Sequence, residues 1–224
     1  RLFAGGDFTN AGGVNANYIA AWDGSTWSPI GTGTNAGVWA LIPYQFPWAH
    51  ELIVGGCFTY IGGTATDYLA GSDGSSWLHG WGGINNCVCA FAVFDGTLII
   101  GGYFTTFVYE SRNYITAEDN SLDWASLDMG MNNGVVALTV FDNKLIAGGF
   151  FTTAGGVNAN RIAAWNGSSW TSLGTGMNNT VQALAVYDNR LIAGGVFTTA
   201  GGVTANYVAA WDGSSWTPLG AGMD

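Results

Sequence analysis

The chain alternates short apolar runs with polar turns, and no stretch has the spacing of an amphipathic helix. Apolar residues alternate in 180-TVQALAVYDNR-190, whereas the phrase LIAGGVFTT from Leu191 is one continuous apolar run. Alternation predicts a half-exposed strand, and a short continuous run predicts a strand covered on both faces. After a Gly-rich turn, the segments 206-NYVAAWDG-213 and 214-SSWTPLG-220 read as two further strands. The pattern therefore predicts a sheet of four short antiparallel strands.

This pattern recurs five times along the chain. The phrase of apolar residues followed by Gly-Gly begins at Leu2, Leu52, Leu98, Leu145 and Leu191, in steps of 50, 46, 47 and 46 residues. The first step is longer because 42-IPYQFPWAHE-51 contains extra residues, which we interpret as an inserted loop that includes His50. Four short strands per repeat are typical of one blade of a β-propeller, in which neighbouring blades cover each other's apolar faces.

We therefore predict an all-β fold, a five-bladed β-propeller of four-stranded antiparallel blades that forms a single domain. The repeats span about 2–51, 52–97, 98–144, 145–190 and 191–224. The first blade lacks its inner strand, which leaves nineteen strands. Three sources for the missing strand stay open: residues beyond Asp224 in a longer protein, a neighbouring subunit that donates a strand, or further blades in a larger ring.

Residues that repeat in every copy are predicted to pack one blade on the next. The fourth strand carries a tryptophan in all five copies, namely Trp27, Trp77, Trp124, Trp170 and Trp216. The third strand ends in Trp22, Trp165 and Trp211, but Ser72 and Glu118 take this place in the second and third copies. The Gly-Gly pairs are expected to permit close backbone approach or bulges.

Residues that do not repeat are the candidates for a functional site. Beside the repeated valine of the first strand, Cys89, Val136 and Gln182 are predicted to line the central channel. Four aromatic residues lie outside the repeated positions and are our candidates for ligand binding: Trp39, Trp48, Trp81 and Tyr60. The alternative is that these aromatic residues fill the channel or cover a face.

Charge and composition exclude several classes of function. The net charge is −10, with 5 basic residues scattered one by one against 15 acidic residues, so we expect no binding to nucleic acid. No apolar run approaches the length of about 20 residues that spans a bilayer, so we expect no membrane insertion. The two histidines, His50 and His79, fit no catalytic or zinc-binding spacing, so we expect neither enzymatic activity nor a cofactor.

Three smaller features leave alternatives open. The third copy carries the acidic residues Glu118, Asp119, Asp123 and Asp128, which could hold calcium but which we interpret as a solvated loop face. Cys57 could form a disulfide across blades with Cys87 or Cys89, the pair Cys57–Cys87 being our candidate, or the thiols could stay buried and reduced. Asn166 and Asn178 match the N-glycosylation pattern.

The repeated phrase FTTAGGVxANxIAAWDGSSWxxLGxGMNNxVxALAVYDN resembles the kelch repeat, in a variety similar to that of bacterial cell-surface proteins and the fungal cortical-marker propeller. The resemblance covers the whole chain and is weakest in the third copy. It implies a β-propeller in an extracellular setting, and it does not imply catalysis. Galactose oxidase shares this architecture, but the His and Tyr ligands of its copper site find no match here.

These observations predict a secreted binding or adhesion module that recognises glycan or protein through a propeller face. The alternative is a structural subunit of an extracellular filament, sheath or surface layer, assembled by strand addition. A third interpretation, an oxidase-like propeller enzyme, is disfavoured by the missing catalytic residues.

Overall fold

The structure, a computed structural model, describes residues 1–46, 50–118 and 124–223, and of His79 only the backbone. These residues contain twenty-nine strands and no helix. Their packing divides the chain into two compact units. The first unit comprises Arg1–Ala90 and Phe104–Ser111, and the second comprises Phe91–Tyr103 and Arg112–Asp224.

The first unit contains two of the repeated sheets. One has three strands in the order β1-β4-β5, with the bounds β1 (Leu2–Gly5), β4 (Ile19–Trp22) and β5 (Trp27–Pro29). The other has four strands in the order β6-β7-β10-β11, with the bounds β6 (Val38–Gln45), β7 (His50–Gly56), β10 (Leu69–Ser72) and β11 (Trp77–Gly80). The three-stranded first sheet agrees with the sequence, which predicts that the first blade lacks its inner strand.

The other three repeated sheets each have four strands, and the first of them begins in the first unit. Its strands are β12 (Val88–Phe94), β13 (Thr97–Gly102), β16 (Ile115–Glu118) and β17 (Trp124–Ala125). The next comprises β18 (Val135–Phe141), β19 (Lys144–Gly149), β22 (Ile162–Trp165) and β23 (Trp170–Ser172). The last comprises β24 (Val181–Tyr187), β25 (Arg190–Gly195), β28 (Val208–Trp211) and β29 (Trp216–Pro218).

The Gly-rich turn predicted between the second and third strands is itself a small hairpin in every copy. The five hairpins are β2 (Asn10–Ala11) with β3 (Val14–Asn15), β8 (Tyr60–Ile61) with β9 (Thr64–Ala65), β14 (Thr106–Phe107) with β15 (Glu110–Ser111), β20 (Thr153–Ala154) with β21 (Val157–Asn158), and β26 (Thr199–Ala200) with β27 (Val203–Thr204). In the first hairpin Gly12 and Gly13 take φ values of 57° and 87°, as a two-residue turn of type I′ requires. The third copy keeps this turn with Val108 and Tyr109, also at positive φ, although its glycines are lost.

The inserted segment 42–51 contributes residues to β6 and β7 of the second sheet. The ladder between β6 and β7 continues to the pair Gln45 and His50, so His50 begins a strand. The expectation that His50 lies in an inserted loop is therefore wrong, because the ladder between the two strands extends as far as His50.

Three of the Gly-Gly pairs are explained by close packing against the next sheet. A Cβ atom on Gly5 would lie 2.5 Å from Cγ1 of Val38, and one on Gly101 would lie 2.7 Å from Cγ1 of Val135. A Cβ atom on Gly148 would likewise lie 2.7 Å from Cγ1 of Val181. Since real Cβ atoms do not approach this closely, the first glycine of the pair lets the repeated valine of the following sheet pack against backbone.

Two of the repeated tryptophans contact the preceding repeat through their indole nitrogens. The indole Nε1 of Trp170 donates to the carbonyl of Leu127 at 3.0 Å, and Nε1 of Trp216 donates to the carbonyl of Leu173 at 2.9 Å. Each of these acceptors belongs to the end of the preceding repeat. Both tryptophans are buried in the second unit, where they bring a large apolar surface and a satisfied donor into the contact between sheets.

The turn between the third and fourth strands is held by an acidic or amide side chain. Oδ1 of Asp212 accepts from the backbone N–H groups of Ser214 and Ser215, both at 2.8 Å. Asp23 and Asp73 make the same contacts, which lower the pKa of all three carboxyl groups. Asn166 makes them in the fourth copy without a charge.

We predict that Gly148→Ala destabilises the protein and that Gly194→Ala does not. The added methyl group at 148 would overlap Val181, and overpacking of this kind costs about 1–3 kcal/mol. Gly194 has the same place in its sheet, but the nearest atom to its Cβ position is the Tyr207 carbonyl oxygen at 3.9 Å. Urea unfolding of both variants measures the difference, and equal free energies of unfolding would contradict the role assigned to the valine.

We also predict that these turns contribute to stability in acid. Because the folded-state pKa of each aspartate is lowered, its contribution is present above the unfolded pKa of about 3.9 and is lost as the pH falls below it. Replacing Asp23, Asp73 and Asp212 by Asn should therefore flatten the loss of stability below about pH 4. Asn166→Asp is the reciprocal variant and should steepen it. Thermal unfolding between neutral and acidic pH measures both slopes, and unchanged slopes would contradict the assignment.

Candidate binding face

The first strand of three sheets contains a bulge at a candidate position. The register between first and second strands shifts between Val38 and Ala40, between Val135 and Ala137, and between Val181 and Ala183. The bulged residues are Trp39, Val136 and Gln182, three of the positions that vary between copies. A bulge re-aims a side chain, so the regular alternation assumed from the sequence does not hold there. Trp39 and Gln182 are exposed, Val136 is half-buried, and the corresponding Cys89 is buried.

In three copies the residue that follows the Gly-Gly pair contacts the start of the next first strand. We call it the spacer residue, and it is Asp7, Cys57, Tyr103, Phe150 or Val196. A Cβ atom on Gly37 would collide with the Asp7 carboxylate and lie 3.0 Å from Nε1 of Trp39. A Cβ atom on Gly134 would lie 2.7 Å from the ring of Tyr103. The spacer residue thus varies in chemistry at a fixed structural position.

In the second copy this contact is covalent. Cys57 and Cys87 form a disulfide, with their Cα atoms 4.5 Å apart. Cys57 is the spacer residue after β7, and Cys87 precedes β12. Cys89 is not part of the disulfide, and its Sγ lies 3.8 Å from the carbonyl oxygen of Cys87. The disulfide therefore takes the place, one repeat further along the chain, of the contact between Asp7 and Gly37.

An asparagine fixes the backbone at Tyr60. Oδ1 of Asn35 accepts from the backbone N–H groups of Thr59 at 2.8 Å and Tyr60 at 3.0 Å. The backbone N–H of Asn35 donates to the Tyr60 carbonyl at 3.2 Å. Trp39 and Tyr60 are 49% and 51% exposed, respectively. We name this surface of the first unit, formed by Asp7, Asn35, Trp39 and Tyr60, the aromatic face.

Of the other two aromatic candidates, the structure describes only Trp81. Trp81 is half-buried and packs against Phe46, with ring centroids 6.2 Å apart. Phe46 in turn contacts Tyr44 edge-on at 4.8 Å. Trp48 lies outside the described residues. The structure thus places Trp81 in an aromatic cluster with Phe46 and Tyr44.

The sequence analysis missed the spacer residues as site candidates. Asp7, Tyr103 and Phe150 stand between a constant Gly-Gly and a constant phenylalanine. One variable position inside a constant phrase indicates a residue that packing does not fix, so the sequence already distinguishes the spacer residues. The expectation that the whole phrase packs between sheets left them out of the candidates.

The two asparagines of the glycosylation pattern differ in their contacts. Nδ2 of Asn178 donates to Oγ1 of Thr198 at 2.8 Å, while its Oδ1 accepts from the backbone N–H groups of Thr198 and Thr199. Asn35 makes the equivalent bonds to Thr59, so the amide at this position has a structural role. Asn166 is exposed, and its Oδ1 accepts from Ser168 and Ser169.

The acidic segment of the third copy is not a continuous solvated face. Glu118 ends β16 with only 1% of its surface exposed, so the interpretation of this residue as part of a solvated loop is wrong. It is buried because it occupies the sheet position of Trp22 and Trp165. Asp128 is exposed, and Asp119 and Asp123 lie outside the described residues.

Residues 1–46, 50–118 and 124–223 contain no group of three His, Cys, Asp or Glu side chains that could hold a metal ion. Over the same residues, no helix is long and apolar enough to cross a membrane.

Comparisons with known proteins identify the fold class. Residues 142–163 match the model of a β-propeller family described as a domain of unknown function (DUF5122). Together with the repeated four-stranded antiparallel sheets, this match supports a β-propeller of about five blades. The comparison with curated proteins found no match.

Two computationally designed proteins are similar in structure. The Ika8 protein shares 16% sequence identity over 88% of this chain, which spans 66% of the Ika8 chain, with a TM-score of 0.43. The Ika4 protein shares 19% identity over 80% of this chain and 92% of its own, with a TM-score of 0.41.

We predict that replacing Cys57 and Cys87 by Ser destabilises the protein by about 3–4 kcal/mol, because the disulfide closes a loop of 30 residues. Urea unfolding measures the loss, and a reductant should lower the stability of the natural protein to that of the variant. A reductant that also destabilises the variant, or a variant as stable as the natural protein, would contradict this role.

Proposed function

We propose that this protein is an extracellular, non-enzymatic binding or adhesion module of the kelch-like type, and that it recognises a glycan or a protein surface through its aromatic face. The observation that carries the proposal is the joint exposure of Trp39 and Tyr60 on backbone that neighbouring residues hold in place. Large rings supply contact area with few rotatable bonds, so little conformational entropy is lost on binding.

The polar neighbours of these rings favour a glycan as the first ligand to test. The carboxylate of Asp7 lies over Gly37 beside the indole of Trp39. The C–H face of a sugar ring is apolar and packs on an aromatic ring, while its hydroxyl groups need acceptors and donors. An indole, a phenol, a carboxylate and an amide on one surface offer both kinds of contact.

The disulfide supports an extracellular setting. Disulfides persist in oxidising compartments and are rare where thiols are kept reduced. Cys57 follows β7 and Cys87 precedes β12, so the disulfide links two successive sheets.

We predict that Trp39→Ala and Tyr60→Ala each weaken glycan binding about tenfold or more, which corresponds to roughly 1.4 kcal/mol. The measurement is a titration of the full chain with soluble oligosaccharides, selected on a glycan array and followed by tryptophan fluorescence and calorimetry. Tyr187→Ala is the matched control, because Tyr187 is 75% exposed on a different sheet. A glycan that binds both variants and the control equally would overturn the assignment to this face.

A second candidate function is that of a structural subunit of a filament, sheath or surface layer. Within the described residues β1 pairs only with β4, and Leu2 is 60% exposed. Its counterparts Leu52, Leu98, Leu145 and Leu191 are at most 5% exposed. An exposed strand edge next to an exposed leucine can accept a strand from another copy of the chain. Light scattering and electron microscopy of the same preparations distinguish this function, since discrete monomers would exclude it.

A further inference from the structure

The last repeat has an apolar face that is open to solvent. Leu219 and Met223 are 39% and 63% exposed, and Ile192 and Val208 are half-buried. Their counterparts in the fourth copy are at most 4% exposed and belong to the core cluster that the fourth and fifth sheets share, namely Ile146, Ile162, Leu173 and Met177. We call the four uncovered residues, all in the second unit, the end face.

The first repeat also has an uncovered apolar face. Leu2 is 60% exposed, and Ala4, Phe8, Ala11 and Trp27 are half-buried. Their counterparts in the fifth copy are at most 5% exposed and form the other side of the same core cluster, namely Leu191, Ala193, Phe197, Ala200 and Trp216. We call the five uncovered residues, all in the first unit, the start face.

The two faces are complementary because they repeat the two sides of a contact that the chain already makes. The start face has the same residue types as the fifth-copy side of the cluster. The end face differs from the fourth-copy side only by Val208 in place of an isoleucine. Apolar side chains of matching shape interdigitate at high density, and apolar patches that stay exposed mark interaction sites. A start face therefore fits an end face as the fifth sheet fits the fourth.

One hydrogen bond of the existing contact has both of its groups on the two open faces. Between the fourth and fifth sheets, the Leu173 carbonyl accepts from Nε1 of Trp216 at 2.9 Å. The Leu219 carbonyl accepts from the Gly222 N–H at 3.1 Å, which uses one of its two lone pairs. The second lone pair can accept from Nε1 of Trp27, which has the place of Trp216 in its own sheet. The end face thus offers an acceptor for the indole of the start face.

We propose that the end face of one copy of this chain binds the start face of a second copy, in a head-to-tail contact. Because the two faces differ, a bound pair still has one of each free, and assembly continues into a closed ring or an open filament. The contact deepens the second candidate function, on which it rests, by packing of faces and not by strand addition. It does not depend on the aromatic face.

The valine contact of the repeat is not part of this interface. The first sheet has three strands in the described part of the chain and lacks the one that carries the valine in later copies. Gly194 accordingly keeps open space beside it when the two faces meet. The contact depends instead on the outer strands and on the residues that follow them.

The test is analytical ultracentrifugation of the full chain over a range of concentrations. Salt at about 0.15 M screens the repulsion between copies, each of net charge −10. We expect the average mass to rise with concentration beyond that of a dimer. Leu219→Asp on the end face and Leu2→Asp on the start face should each weaken self-association about tenfold or more, because each places an unpaired charge in the contact.

A mixture of these two variants tests the head-to-tail arrangement directly. Leu219→Asp keeps an intact start face, and Leu2→Asp keeps an intact end face. An equimolar mixture should therefore form one-to-one heterodimers and no larger species, although each variant alone is a monomer. Strand addition at β1 does not involve Leu219, so under that mode of assembly Leu219→Asp would associate like the natural protein.

Three control variants should associate like the natural protein. Val203→Asp makes the same kind of change at a residue that is 42% exposed, and its counterpart Val157 stays 44% exposed beside the contact between the fourth and fifth sheets. Gly194→Ala tests that no valine reaches this glycine. Trp39→Ala removes a ring of the aromatic face. Urea unfolding of every variant shows that the loss of association is local, because Leu2 and Leu219 are exposed in the single copy.

Three results would overturn the proposal. The first is a natural protein that stays monomeric at every concentration. The second is a Leu219→Asp variant that associates as strongly as the natural protein, which places the contact on another surface. The third is a mixture of the two variants that stays monomeric, which shows that the two faces do not bind each other. Glycan binding is measured separately, so failure of this contact and failure of the aromatic face are distinguished.

Discussion

Contact between successive sheets is the constraint on which the structure depends. A sheet of four short strands has two faces that must be covered. The repeated valine of the next sheet can contact the backbone of the sheet before it only where that backbone has a glycine, which has no side chain. The approach of Val181 to Gly148 leaves no room for one methyl group. The buried tryptophans complete the contact with an indole and a hydrogen bond to the preceding repeat. Residues at these positions are fixed by packing and cannot vary for function.

Chemistry can therefore vary between copies only at positions that the packing leaves free. The spacer residue after Gly-Gly and the bulged residue of the first strand both border the contact between sheets without filling it. Asp7 and Trp39 meet above Gly37, and the same relation is a disulfide between Cys57 and Cys87 in the next repeat. One structural position thus carries a carboxylate, a covalent link or an aromatic ring in different copies, while the sheets beneath it stay alike.

The strands and the repeated packing could be predicted from the sequence because they follow from local pattern. Alternation, Gly-Gly and the five tryptophans each repeat, and repetition makes a packing role visible. The site could be predicted only in part. The bulge at Trp39 depends on the pairing of two strands, which periodicity along one strand does not reveal. The burial of Glu118 follows from its place opposite Trp124 in the ladder, whereas its acidic neighbours in sequence favoured a solvated loop.

The second sheet departs from the repeat at three neighbouring places. Ser72 replaces a tryptophan, Glu51 replaces a basic residue, and the hairpin that carries Glu51 is longer than in any other copy. Loss of a large buried side chain normally costs several kcal/mol, with a further cost for the cavity that is left. The replacement of a tryptophan by the fully buried Ser72 is therefore a departure that packing alone does not favour.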